Sequence, residues 1–509
     1  MIYLYFNISI KLLLIITIKI DFIFIFINML SFRDEISDSL SKIIGAPGNQ
    51  ISLILTMLCV IPFCFLNYFI HGKKIRLLYS FILGFFFQYS IYKFNTIHTL
   101  ISAIFTYLFI KYYGRKYSAF YVFIGSLLYL SYLHIKRMFR TYEGWKIDDP
   151  TTIYMMSICK FSSLAFSYED GIKDEKDFKN QHHKEYRIIN QPTLLEVLSF
   201  VYFYPTAIIG PSLEYKDFIN FICEIDCYRR LNENFLYILR TGLFYFIGSF
   251  ACMGFYAVIS QKLPVSKVVE EDFGKHNIFY VLAYIYCCIP AVRARYYSGW
   301  LLSYSTVIFV GAAYTEKINK DGKLEKSLEK GSYGSIITCE WGINPSHSMK
   351  DWNNTIHLWL KYNVLTRVIN INKKPFKNNW GIASLLTFIS SAVWHGYYLT
   401  YYLTFGLLFF YHSASTVFEN LGVYQWIIDT KFLLPIASVF NGLAFETIGI
   451  FFFNLKWDKA MIGARNMKYY PIVSIMGLYF LSKMFKVYKK EEKKPEKIEE
   501  KNNEKKKKE

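Results

Sequence analysis

Apolar runs long enough to cross a bilayer recur along this chain from end to end, separated by short polar breaks. Ile51–Ile70, Leu77–Tyr92, Ile97–Tyr112 and Tyr117–His134 read as four such spans. Breaks as short as His71-Gly72-Lys73-Lys74 and Gly114-Arg115-Lys116 make consecutive spans antiparallel neighbours. Thr151–Phe166 is more amphipathic than spanning. Beyond the charged loop Ile172–Gln191, Leu194–Ile209 runs into Phe203–Tyr215, where Pro205, Gly210 and Pro211 break any helix. A broken helix at membrane depth is tolerated only where it is buried or lines a cavity. Asn234–Gln261, His276–Pro290 and Tyr296–Tyr314 are further apolar segments, and Thr315–Ser335 reads as an exposed Lys/Glu-rich insertion. A helix over roughly Asp351 to Ile371 interleaves Trp352, Leu358, Trp359 and Tyr362 with Lys361 and Arg367, an amphipathic pattern. Spans resume at Trp380–Trp394, Tyr397–His412, Phe432–Phe453 and Tyr470–Phe485. The pattern predicts an all-α polytopic membrane protein.

Both ends depart from it. Met1–Leu30 is apolar, carries Lys11 and Lys19 and lacks a small-residue cleavage site. It reads either as an uncleaved signal-anchor or as an extension upstream of a start at Met29. Lys486–Glu509 is a Lys/Glu run that cannot bury a core, which predicts a disordered cytoplasmic tail. Its last residues, Lys506-Lys507-Lys508-Glu509, match a dilysine retrieval signal and point to the endoplasmic reticulum membrane. The chain thus divides into a leader (1–30), a transmembrane domain (31–485) and a tail (486–509).

Composition agrees: 53% of the 509 residues are hydrophobic and 19% aromatic, too apolar for an ordinary soluble chain. The net charge of +19 is mostly loop lysine, as expected for cytoplasmic loops, and suits anionic headgroups or an anionic substrate better than nucleic acid. The nine cysteines form no C-x-x-C pair and no Cys/His zinc spacing, so neither a disulfide framework nor a metal follows.

Candidate chemistry concentrates in two stretches. Ser390-Ser391-Ala392-Val393-Trp394-His395-Gly396 places a histidine in apolar sequence, where an ionisable group is costly and therefore a functional suspect. Small residues at Ser390, Ser391 and Ala392 let a helix or ligand approach the same face. A neutral imidazole, with an unperturbed pKa of about 6.5, can take a proton from an attacking hydroxyl. Upstream, Asp351-Trp352-Asn353-Asn354 offers an uncharged amide that can orient a base or stabilise a carbonyl oxygen. The plainer alternatives are a structural histidine, and helix-start chemistry with Asp351 as N-cap and Asn353 in the first turn. His347 and Asp351 are too close for the His-x-x-x-x-Asp spacing of soluble glycerolipid acyltransferases, and no Gly-x-Ser-x-Gly elbow occurs.

Ser391–Tyr402 resembles the histidine motif of the membrane-bound O-acyltransferases, and Trp352–Lys361 resembles their asparagine motif. Both are closest to the lysophospholipid acyltransferase branch. Lys160–Gly171 and Phe203–Phe218 resemble two further blocks of the family in the same order. The resemblance runs from about Leu30 to Phe485, leaving out Thr315–Ser335 and the tail. It implies a bundle of about eleven transmembrane helices around an internal catalytic chamber, open to the cytosol for acyl-CoA and to the bilayer for a lysolipid. It further implies transfer of a fatty acyl chain from acyl-CoA to the free hydroxyl of a lysophospholipid, with His395 as general base and Asn353 assisting. Acyl-CoA is then a co-substrate, the lysophospholipid and membrane lipids are the other partners, and no cofactor is needed. Trp352, Trp394 and Ser391 join the substrate contacts as neighbours of those two residues.

Tyr296-Tyr297-Ser298-Gly299-Trp300 resembles a segment lining the acyl-donor site, which brings in Tyr297 and Trp300; an interfacial aromatic belt is the competing reading. Lys361 and Arg367 are candidates for the CoA phosphates, or simply snorkel to the interface. Lys350-Asp351-Trp352-Asn353 differs from the Asp-Trp-Trp-Asn of the sterol and diacylglycerol branch, and Tyr397-Tyr398-Leu399-Thr400 lacks the Pro-Gly common in the lysophospholipid branch. The alternative acceptor is a sterol, diacylglycerol or protein. A transporter using His395 in a proton path is a different class, and predicts intramembrane carboxylates paired with that histidine; Glu446 is the clearest candidate.

Overall fold

The computed structural model of this chain describes Asn28 and residues 31–42, 47–140, 149–319, 321–371, 374–376 and 379–485. The leader up to residue 27, most of the loop before Pro150 and the tail lie outside the described residues. The predicted spans fold as helices α1 (Gly48–Leu66), α2 (Lys73–Tyr92), α3 (Thr96–Tyr112) and α4 (Ser118–Arg140). Then come α5 (Pro150–Asp170), α6 (Gln181–Tyr186), α7 (Leu194–Val201), α8 (Tyr215–Ile222), α9 (Phe235–Lys262) and α10 (Ile278–Phe309). Among the described residues six helical stretches are long and apolar enough to cross a membrane, one of them the α2–α3 pair. Helix α9 presents Leu236, Phe244 and Ile247 outward, which suits contact with lipid rather than water. The chain is therefore an all-α, multi-pass membrane protein.

Helix α5 departs from its amphipathic reading. Asp149 accepts from the Thr151 amide (2.8 Å), Pro150 takes the first turn, and the helix then runs buried through Tyr154, Cys159, Phe161 and Leu164. Its polar residues face neighbouring helices instead of water. Buried Lys160 donates to the Val201 carbonyl (2.8 Å) and to Thr206 Oγ1 (2.9 Å). It thereby caps carbonyls left open where α7 ends in the Pro205 break.

A second departure is α10, which continues through Pro290 where two segments were expected. Ile285, Ile289 and Val292 are buried around the proline, so packing offsets the one lost backbone bond. The Lys/Glu-rich insertion also differs from an exposed loop. It forms a hairpin, β1 (Thr315–Ile318) with β2 (Leu324–Ser327), and returns inward at buried Leu328 and Tyr333.

The remaining helices are α11 (Ile336–Trp341), α12 (Pro345–Asp351), α13 (Asn354–Leu360), α14 (Thr366–Ile369) and α15 (Trp380–His395). They are followed by α16 (Leu399–Asn420), α17 (Val423–Asp429), α18 (Leu433–Phe453) and α19 (Trp457–Asn466), and by the apolar helix Tyr470–Phe485. One continuous helix was expected over Asp351–Ile371. Instead Asp351 ends α12, Trp352 is extended, and α13 starts at Asn354.

Helix α5 acts as a ruler through the bundle. Met155 O accepts from Trp394 Nε1 (2.8 Å), Ser162 Oγ from Trp359 Nε1 (2.8 Å), and Ser163 Oγ from Asn363 Nδ2 (3.0 Å). At its far end Asp170 takes both arms of Arg367 (2.8 and 2.6 Å). The histidine motif is thus held near the start of α5, and α13–α14 run from its middle to its end.

Candidate active site

The chemistry of the site begins with a backbone break. Asn353 sits in the left-handed region (φ 56°, ψ 60°), which asparagine tolerates better than most residues. Its side chain does not cap α13; its Oδ1 accepts from Thr355 Oγ1 (3.1 Å), so the amide NH2 is not used by the helix. The break is braced by the return of the hairpin loop, where Asn354 N donates to Tyr333 O (2.9 Å). Tyr333 also stacks on Trp300 (5.3 Å, 5°), and Trp300 meets Trp352 edge to face (4.8 Å). Downstream, Lys361–Leu365 forms a π turn, a widening common at functional sites.

His395 ends α15. The chain can turn there because Gly396 adopts φ +127° and because His134 packs against it; a Cβ at Gly396 would lie 3.2 Å from His134 Nδ1. His134 Nε2 in turn donates to Trp394 O (3.0 Å). The His395 ring lies against Phe405 (5.2 Å, 24°) and edge-on to Phe452 (5.1 Å, 87°). Among the described residues neither of its nitrogens has a hydrogen-bond partner, which leaves both for a guest.

Both motifs open on one cavity of about 750 Å³, lined chiefly by apolar side chains of α1, α5, α9, α10, α15, α16 and α18. It receives Trp300, Trp352, Asn353, Lys361, Ser391, Trp394 and His395. Two expected contacts lie elsewhere. Arg367 faces away, held by Asp170 and stacked over Phe166 (4.6 Å), because a guanidinium fork fits one buried carboxylate better than open water. Tyr297 is buried behind the wall and donates its hydroxyl to Glu340 Oε1 (2.5 Å). Tyr296, Tyr297 and Trp300 all pack on Trp352 inside the bundle, not in an interfacial belt.

Polar residues outside the two motifs also face this cavity, among them His357 and His412, which read in the sequence as core or interfacial histidines. His412 pairs through Nδ1 with Ser346 Oγ (2.9 Å), and His357 lies on α13 beside the motif. Arg293 is clamped between Glu340 and Glu446, with Nε to Glu340 Oε1 at 2.8 Å and Nη1 to Glu446 Oε2 at 2.7 Å. Its partners stand 47 and 153 positions away, so no local pattern announces them. Glu446 is therefore matched to an arginine and not to His395, which removes the pairing that a proton path through His395 requires.

Chemically, the cavity offers an unengaged imidazole and a free amide within apolar walls, suited to long chains whose reacting atoms meet at one polar point. Comparison with known proteins points the same way. The lysophospholipid acyltransferase of Saccharomyces cerevisiae is 29% identical over 340 residues, 63% of this chain and 54% of that protein. Lysophospholipid acyltransferase 6 of Drosophila melanogaster is 26% identical over 381 residues, 70% of this chain and 51% of that protein. The lysophospholipid acyltransferase of Schizosaccharomyces pombe is 26% identical over 376 residues, 72% of this chain and 71% of that protein. The chain spans about half the length of the first two of these relatives. Residues 109–455, which include every residue of the cavity's two polar motifs, match the membrane-bound O-acyltransferase family, and the chain belongs to that family.

Proposed function

We propose that this protein transfers a fatty acyl chain from acyl-CoA to the free hydroxyl of a lysophospholipid, as phospholipid remodelling requires. The observation that carries the reading is the meeting of His395 and Asn353, from separate segments, on one apolar cavity with the imidazole unengaged. The relatives' names, lysophospholipid acyltransferase in each case, support the acceptor class.

In this reading His395 takes the hydroxyl proton as the oxygen attacks the thioester carbonyl. The Asn353 amide donates to the carbonyl oxygen as it gains charge. Collapse of the tetrahedral intermediate breaks the C–S bond, and the proton passes from the imidazolium to the departing thiolate. Acyl-CoA enters from the end of α5 that carries Asp170. Lysines and arginines crowd that end, among them Lys73, Arg115, Lys173 and Lys184, as on a cytoplasmic face. Lys361, on the way from that end to Asn353, is positioned to meet phosphate. We place the protein in the endoplasmic reticulum membrane, with a cytoplasmic C-terminal tail and about eleven membrane helices in all.

The test supplies labelled oleoyl-CoA to membranes containing the protein, with a panel of lysophospholipids, a sterol and a diacylglycerol. The expected result is product on one or more lysophospholipids and none on the neutral acceptors. Product confined to sterol or diacylglycerol would overturn the acceptor assignment.

A further inference from the structure

The cations lining the cavity differ in how they are engaged. Arg293 is neutralised by Glu340 and Glu446. Arg295 lies between the rings of Tyr256 (5.5 Å) and Tyr296 (5.3 Å). Lys361 lies over Tyr362 on the segment leading to the Asp170 end. Arg137, itself over the ring of Tyr398 (5.8 Å), is set apart from Arg295 and Lys361 by its burial. It is 94% buried (6% exposed), lines the cavity, and has no carboxylate partner among the described residues. Among the described residues only its Nη1 finds an acceptor, donating to Thr151 Oγ1 (2.9 Å), and its buried Nε has none. A buried guanidinium that keeps its charge needs an anion or a full set of acceptors, and the described residues supply neither.

Position identifies the guest. Arg137 meets Thr151 at the first turn of α5, whereas Arg367 meets Asp170 at the last, about 28 Å away at 1.5 Å per residue. Arg137 is thus at the end of α5 opposite Arg367, with Lys361 alongside its middle between Trp359 and Asn363. It is also close to the base. His134, one turn earlier on α4, bonds the Trp394 carbonyl, and Arg137 lies over the ring of Tyr398 (5.8 Å). Arg137 and His395 line the same cavity, so an acceptor reaching His395 from this side can present a polar group to Arg137.

Resting on the acyltransferase reading above, we propose that Arg137 binds the phosphodiester of the acceptor lipid. It thereby selects phosphate-bearing lysolipids over neutral acceptors of the same chain. Its planar fork can form charge-assisted hydrogen bonds to two phosphate oxygens, which a glycerol hydroxyl cannot match.

The experiment uses the purified full chain in detergent, as wild type, Arg137→Gln and Arg137→Lys. It measures KM for oleoyl-CoA and for whichever of lysophosphatidylcholine, lysophosphatidylethanolamine and lysophosphatidylserine the wild type acylates fastest. The same proteins are melted with and without that lysolipid, and with a monoacylglycerol of the same chain. The expected result is a rise of about ten-fold or more in lysolipid KM for Arg137→Gln, an unchanged KM for oleoyl-CoA, and a smaller rise for Arg137→Lys. The lysolipid should raise the wild-type melting temperature more than the monoacylglycerol does, and the excess should vanish in Arg137→Gln. Equal rises in both KM values, or an excess that survives the substitution, would overturn the assignment. A wild type that binds lysolipid selectively through Arg137 yet acylates nothing would leave the phosphate site standing and remove the acyltransferase reading instead.

Discussion

At the scale of single residues, the site depends on two places where the backbone leaves the helix. Asn353 does so in the left-handed region, and Gly396 at φ +127° against the His134 ring. Gly396→Ala combines a disfavoured φ with a Cβ contact at 3.2 Å, a cost of about 1–3 kcal/mol at the turn that orients His395. Most acyl transfer should be lost in that variant while solubilised protein remains, a split measured by specific activity against yield of folded protein. His395, Asn353, Trp352, Trp394 and Ser391 could be picked out in the sequence because each sits within a short local motif. Arg137 could not, since a basic residue at the end of an apolar run looks like ordinary helix-end lysine and arginine. Arg367 read as a candidate for the CoA phosphates or a snorkelling side chain, because its partner Asp170 is 197 positions away.

Among elements, the apolar runs predicted the long helices closely, because span length and hydrophobicity are local properties. The misreadings fall where tertiary packing overrides local pattern. Helix α5 carries polar residues that serve its neighbours, α10 passes through Pro290, and the insertion after α10 returns to brace Asn353. The α5–α7 connection adds a pH dependence. His183 on α6 donates through Nε2 to Tyr362 O (2.9 Å), and burial, with Arg367 nearby, pushes its pKa down to about 4. The unfolded chain, with a value near 6.5, takes up the proton first, so stability is lost as pH falls from about 6.5 toward about 4. Melting temperature followed from about pH 7 to pH 4.5 should fall through this window, and His183→Gln should flatten the fall. An identical slope in that variant would assign the titration to another group.

For the whole molecule, the Arg293 cluster joins α10, α11 and α18 across the wall of the cavity. Removing the arginine leaves two buried carboxylates without a counter-ion, which costs about 3–5 kcal/mol. Arg293→Ala should therefore fail to accumulate as folded protein, and Glu446→Gln, which keeps a hydrogen-bond acceptor, should be milder; the yield of monodisperse protein in detergent measures both. The same cluster separates the two accounts of the intramembrane charges. It ties Glu446 into the scaffold and leaves His395 facing an apolar chamber, its nitrogens without a partner among the described residues.

In the proposed reaction His395 is the base for acyl transfer. The measurement that tests it compares kcat for wild type and His395→Ala in matched amounts of folded protein, with oleoyl-CoA and the preferred lysophospholipid. A loss of about 10²–10⁴-fold with little change in melting temperature is expected. A variant that retains a rate comparable to wild type would remove His395 as the base.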